Sequence, residues 1–206
     1  WIIFLLISST INIDNPDKID EESNRDFRDS DIEFASQKSI SDWSSSGSAQ
    51  SSAVVRAMDA GSNGDIVLTG IMSSGMTLSM GSQTVTSNSY LTPWFAKSDS
   101  SGNWLWAQSI VNSGTSIDSE VTVSDVTVAS NGDIFATGMF YDSATFGSTV
   151  LTSTGYYDFW IAKLTSSGQW AWAKALHGDG DYDGTLVTTL DVVWGTSITT
   201  DSNNEV

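Results

Sequence analysis

The stretch "SSGNWLWAQSI" at residues 100–110 returns 66 positions later as "SSGQWAWAKAL" at residues 166–176. Two tryptophans one residue apart, behind the same Ser-Ser-Gly, are written twice. Repetition at a fixed period is the mark of a chain built from copies of one supersecondary unit. The rest of the chain extends the match. "SNGDIVLTG" (Ser62–Gly70) aligns with "SNGDIFATG" (Ser130–Gly138), "MGSQTVTS" (Met80–Ser87) with "FGSTVLTS" (Phe146–Ser153), and "WFAK" (Trp94–Lys97) with "WIAK" (Trp160–Lys163). "SNNEV" (Ser202–Val206) stands where a third "SNGDI" begins, and "IEFASQKSI" (Ile32–Ile40) more weakly resembles the tryptophan segment of an earlier copy. The sequence thus holds two complete units and pieces of two others.

Each unit predicts strands. "DIVLTG" and "DIFATG" are short, β-branched or aromatic runs behind Asn63-Gly64 and Asn131-Gly132, pairs suited to the positive φ values of a type I′ turn. "TLSMGSQTVTS" and "ATFGSTVLTS" predict hairpins centred on Gly-Ser, glycine first as a type II′ turn requires. In a regular strand Trp104 and Trp106 share one face and Leu105 and Ala107 the other, a pattern that Trp170 and Trp172 repeat against Ala171 and Ala173. Both faces are then apolar, as in a sheet covered on two sides by neighbouring sheets. The expected fold is all-β: four-stranded antiparallel blades of a β-propeller, two of them complete, from a larger propeller of about six or seven units. Ile32–Ile40 would supply an outer strand to the last blade.

The second unit, "GDIFATGMFYDSATFGSTVLTSTGYYDFWIAKLTSSGQWAWAKAL", resembles the bacterial and archaeal β-propeller repeats often labelled SBBP, found in large secreted and cell-surface proteins. The family's Gly-Asn-Val-Tyr-Val-Thr-Gly strand falls on Gly132–Gly138, its Ala-Thr-Phe-Gly on Ala144–Gly147, its Asp-x-Phe-Val-Ala-Lys-Leu on Asp158–Leu164, and its Ser-Gly-x-x-x-Trp-Ala on Ser167–Ala173. The first unit departs from the pattern at "LTPWFAKSD", where Leu91-Thr92-Pro93 precedes the tryptophan and Ser98 replaces leucine. The resemblance spans residues 32–206 and implies a fold rather than a reaction, because the family shares no catalytic residues and propellers host unrelated activities.

Composition agrees with short strands and tight turns: nine Trp, 17 Gly and two Pro in 206 residues. A formal charge of −17 with eight Lys and Arg excludes nucleic acid as an expected partner, since phosphate contacts need basic side chains. Absence of cysteine excludes disulfides, thiolate metal sites and cysteine nucleophiles. "WIIFLLI" (Trp1–Ile7) is too short to span a bilayer. With Ser8 and Thr10 behind it, residues 1–12 look like the remnant of a signal peptide; a buried first strand and a cut membrane anchor are the alternatives. Asp14–Glu33 carries nine acidic and three basic residues without periodic apolar positions, so residues 13–31 read as an acidic linker ahead of the repeat region, 32–206.

The sharpest chemical candidate is "HGDGDYDGT" (His177–Thr185). Asp179, Asp181 and Asp183, followed by Gly184, match the opening of a calcium loop, in which alternate carboxylates gather oxygen ligands around one cation. The twelfth position holds Leu190 instead of glutamate, with Asp191 next, and this favours a solvated acidic turn over calcium. His177 is the sole histidine, and no Gly-x-Ser-x-Gly, P-loop or zincin motif occurs. A Ser–His–Asp triad built on it is a formal alternative only. Lys97 and Lys163 occupy the same place in both units, where a structural charge pair is the expected role. The sequence therefore predicts a non-enzymatic, extracellular or cell-surface module, a scaffold or adhesion platform for protein or glycan partners, with no membrane span in the mature domain. Carbohydrate binding through Tyr156 and Tyr157, and an enzyme with its site in further blades, are the rival functions.

Overall fold

The computed structural model describes residues 43–46, 52–114, 119–154, 156–177 and 195–206. The expected signal remnant, the acidic linker, the strand at Ile32–Ile40 and the candidate calcium ligands Asp179, Asp181 and Asp183 lie outside these residues. Among those described there is no helix. In chain order the strands are β1 (Trp43–Ser46), β2 (Ala53–Ala60), β3 (Ile66–Ser73), β4 (Thr77–Met80), β5 (Gln83–Thr86), β6 (Leu91–Ser98) and β7 (Trp104–Ser109). They continue as β8 (Val111–Asn112), β9 (Glu120–Val128), β10 (Ile134–Tyr141), β11 (Ser143–Phe146), β12 (Thr149–Thr152), β13 (Asp158–Leu164) and β14 (Trp170–Leu176).

All pairings are antiparallel and fall into two copies of one plan. Four strands in the order β2-β3-β6-β7 form the first large sheet, and β9-β10-β13-β14 form the second. Each large sheet has a small satellite: the hairpin β4-β5 with β1 at its edge, and β11-β12 with β8. The third satellite strand comes from the run of chain leading into the unit, a role the alternation of residues did not announce. The hairpin turns at Gly81-Ser82 and Gly147-Ser148 connect the directly paired Met80/Gln83 and Phe146/Thr149, with positive φ only at the glycine (57° and 60°), the type II′ signature.

The Asn-Gly turns are not type I′. Gly64 N donates to Gly61 O and Gly61 N to Asp65 O, while φ is positive at Gly64 alone (81°). This is a three-residue loop: a type I turn closed by one left-handed residue. Ala129–Asp133 repeats it, and so does Asp201–Glu205, where Asn204 takes the left-handed place at φ 64°. Asparagine tolerates that conformation because its short side chain can hydrogen-bond locally. The third copy is therefore real as a turn, as the alignment of "SNNEV" predicts.

The tryptophan strands differ from expectation in an informative way. Lys97 pairs with Trp106 but Ser98 pairs with Trp104, so Leu105 is an extra residue; Lys163/Trp172 and Leu164/Trp170 repeat this β-bulge around Ala171. An extra residue breaks the period of two. Trp104 and Trp106 consequently pack into different clusters rather than sharing one face. Trp104 joins Met72, Leu78, Met80, Trp94 and Ala96 on one side of the first sheet. Trp106 and Trp170 join the larger cluster between the sheets, around Phe95, Val126, Ile134, Phe146 and Trp160. The tryptophans packed deepest in each unit are Trp94 and Trp160, of the "WFAK" and "WIAK" strands, 1% and 0% exposed. Room for them comes from Gly70 and Gly138: a Cβ on Gly138 would lie 2.1 Å from the Thr122 carbonyl oxygen and 2.9 Å from the Trp160 ring.

Candidate functional site

The seam between the two large sheets is crossed by polar side chains from both. Strand β2 lies beside β9. The Asp59 carboxylate accepts from Val128 N at 2.7 Å and Thr127 Oγ1 at 3.1 Å, joining them. One step on, Asp125 accepts from Ile198 N at 2.9 Å, and Asn204 Oδ1 accepts from Ser130 Oγ at 2.6 Å. The terminal segment 195–206 is thereby fastened to the second sheet. Higher on the seam, Trp106 Nε1 donates to Ser166 O at 3.1 Å, Lys97 Nζ to the same oxygen at 3.4 Å, and Gln108 Nε2 to Gly168 O.

Lys97 is held by Asp65 at 3.0 Å and Lys163 by Asp133 at 2.7 Å, so the repeated lysines form the structural charge pairs expected of them. Burial pushes the Asp65 carboxyl up, but hydrogen bonds from Lys97 and Asn63 outweigh it and leave its pKa below the ordinary 3.8. Asp99 and Asp201 are also held low in exposed turns. Asp99 accepts from the Asn103 amide side chain, and Asp201 from the Glu205 backbone N–H. A recess of about 400 Å³ between the turns at 61–65, 129–132 and 165–167 contains the Lys97–Asp65 pair.

A second cavity, about 440 Å³, opens at the opposite end of the strands between Arg56, Ile71, Leu91, Glu120 and Met139, with Thr196 on its wall. It sets one cation and one carboxylate against an apolar lining. Glu120 Oε2 accepts from Tyr157 OH at 2.6 Å. Tyr157 in turn packs edge-on against Tyr156 (centroids 4.7 Å apart), and Tyr141 lies 5.3 Å from Tyr156. Tyr156 and Tyr157 are therefore half-buried in a tyrosine cluster, not freely displayed at a loop tip. Among the described residues the displayed aromatic is Tyr90, 77% exposed. The period of 66 places Tyr90 at the position of Tyr156, and this was the signal in the sequence for it.

His177 Nδ1 lies 2.6 Å from Asp158 Oδ2, with the carboxylate fully buried and the imidazole 42% exposed. A carboxylate-oriented imidazole is two-thirds of a nucleophilic triad, but among the described residues no hydroxyl is hydrogen-bonded to the ring. Asp158 has a simpler duty: it accepts from Thr154 N at 2.7 Å, as Thr92 Oγ1 accepts from Asn88 N at 3.1 Å in the first unit. Both side chains tie down the loop that enters the tryptophan strand. Among the described residues no group of three or more His, Cys, Asp or Glu gathers as a metal site, and no helix is long and apolar enough to cross a membrane.

No protein-family model matches the chain, and no curated protein matches it.

Proposed function

We propose that the chain is part of a β-propeller and serves as a non-enzymatic interaction module, a scaffold or adhesion platform outside the cell or on its surface. The supporting observation is the seam: Asp59 joins β2 to β9, Asp125 joins β9 to the segment at 195–200, and each step carries the same turn. Successive innermost strands set side by side, each with its sheet running outward, are what a radial array of blades requires. The partners are proteins or glycans rather than nucleic acid, because the acidic charge repels phosphate. Mixing the purified chain with extracellular-matrix proteins and with a glycan array tests this. Saturable binding to one class supports the module, and hydrolysis or turnover of an arrayed ligand rejects it in favour of an enzyme.

Glycan recognition is favoured as the second reading by Tyr90, whose ring is free to stack on a sugar face at the loop that matches the Tyr141–Tyr156–Tyr157 cluster. Loss of array binding in both Tyr90→Ala and Tyr156→Ala supports it; unchanged binding in both leaves protein partners. Calcium at Asp179, Asp181 and Asp183 is proposed as a weak structural cation, suited to extracellular millimolar levels.

A further inference from the structure

The two large sheets carry the same outward surface, and among the described residues only that of the first is covered. On the first sheet, Phe95 is fully buried under Trp170, at 5.5 Å edge-to-face. Trp106, Lys97 and Gln108 are capped by the carbonyls of Ser166 and Gly168. The second sheet has Ile161, Trp172, Lys163 and Lys174 at the matching places. There Ile161 is half-buried, and Lys163 is 25% exposed where Lys97 is 6%. Among the described residues the Trp172 ring packs against Phe135 and under the Lys174 ammonium, 5.6 Å from its centroid. Its indole N–H donates to none of them.

We infer that this face of the second sheet is a docking surface for a third sheet of the same kind, presenting a Ser-Ser-Gly-x-Trp segment. Ser-Ser-Gly would offer its carbonyls to Trp172 Nε1, Lys163 Nζ and Lys174 Nζ, and the tryptophan would close over Ile161. Glycine is demanded by the contact, since a Cβ on Gly168 would lie 2.6 Å from the Trp106 ring. A lysine at 174, where the first sheet has Gln108, adds a cationic donor for those carbonyls. Residues 195–206, which form no strand, are already held beside the second sheet by Asp125 and Ser130, where the inner strand of that third sheet would lie, so the position is anchored at one end. The inference rests on the propeller reading for the third sheet's existence, but the docking chemistry is independent of how the sheets are arranged around an axis.

The test joins a second copy of residues 135–176 after Val206, because Val206 aligns with Ile134, and compares this extended protein with the chain itself. Acrylamide quenching of tryptophan fluorescence, with Trp172→Phe in both proteins to isolate its signal, reports the face directly. The expected result is loss of quenching at Trp172 and a rise in Tm, both abolished when the added copy carries Gly168→Val. Unchanged quenching of Trp172 overturns the inference, whether the added residues fold elsewhere or stay unprotected in hydrogen exchange. So does protection that survives the Gly168→Val change. If Trp172 is shielded but solution scattering shows the three sheets stacked in a straight rod, the docking surface stands and the propeller reading falls.

Discussion

Trp106 donates its indole N–H to the carbonyl of Ser166, 60 residues further along the chain and in the next unit, across 3.1 Å. The ring lies against Gly168, whose φ of 81° and missing Cβ let the turn reach it. The repeat is thus joined to its neighbour through the same Ser-Ser-Gly that marks it in the sequence.

Gly168→Val should destabilise the protein by about 2–4 kcal/mol, the sum of a left-handed backbone penalty and an overpacked contact. Trp106→Phe removes the hydrogen bond and should cost about 1 kcal/mol or more. Because both act on one contact, the double variant should fall short of the sum. Urea unfolding of the four proteins reads this, and strict additivity would show that the turn and the indole do not act together.

Asp59→Ala leaves Val128 N and Thr127 Oγ1 without their acceptor. Hydrogen bonds to a charged group are worth about 1.5–3 kcal/mol, so a loss of that order is expected, with faster hydrogen exchange concentrated at Val128. Exchange that accelerates uniformly across the chain would place the Asp59 contribution elsewhere.

Acid should weaken the Asp65–Lys97 pair. The folded pKa of Asp65 lies below 3.8, so the unfolded state takes up the proton first. The stabilisation is complete above the ordinary carboxylate range and is lost as pH falls through the lower folded value. Asp65→Asn should flatten the stability profile below about pH 4, read by urea unfolding at a series of pH values. A profile unchanged by the substitution would show that the pair adds no stability there.

Calcium in the millimolar range should raise Tm, and Asp181→Ala should abolish the rise. No shift at several millimolar calcium would leave Asp179, Asp181 and Asp183 as a solvated turn.

Much of the architecture is local and therefore legible. Strands follow from short β-branched and aromatic runs, and the Gly81 and Gly147 hairpins from glycine's access to positive φ. The Asn-Gly turns were placed correctly but typed wrongly, because the same two residues serve a two-residue loop or a type I turn with a left-handed third residue. Ladder register chooses between these, and register is a property of two strands. Tyr90 was recoverable from the period alone. Its exposure was not, since that depends on the half-buried cluster forming only in the second unit.

What the sequence determined by itself is the repeat, its strands and the identity of the residues that punctuate them, since backbone preference and hydrophobic pattern act over a few neighbours. Only the tertiary structure decided where the tryptophans go. One extra residue opposite Lys97 and Ser98 turns Trp104 and Trp106 to different clusters, and no pattern within "WLWAQS" encodes a bulge that exists only against its partner strand. The same holds for Asp59 and Asp125: two carboxylates within strands of largely apolar and small residues become fastenings because β2, β9 and residues 195–200 come to lie side by side. Contacts across 60 to 70 residues are set by which sheets meet, and that is settled by packing the whole core at once.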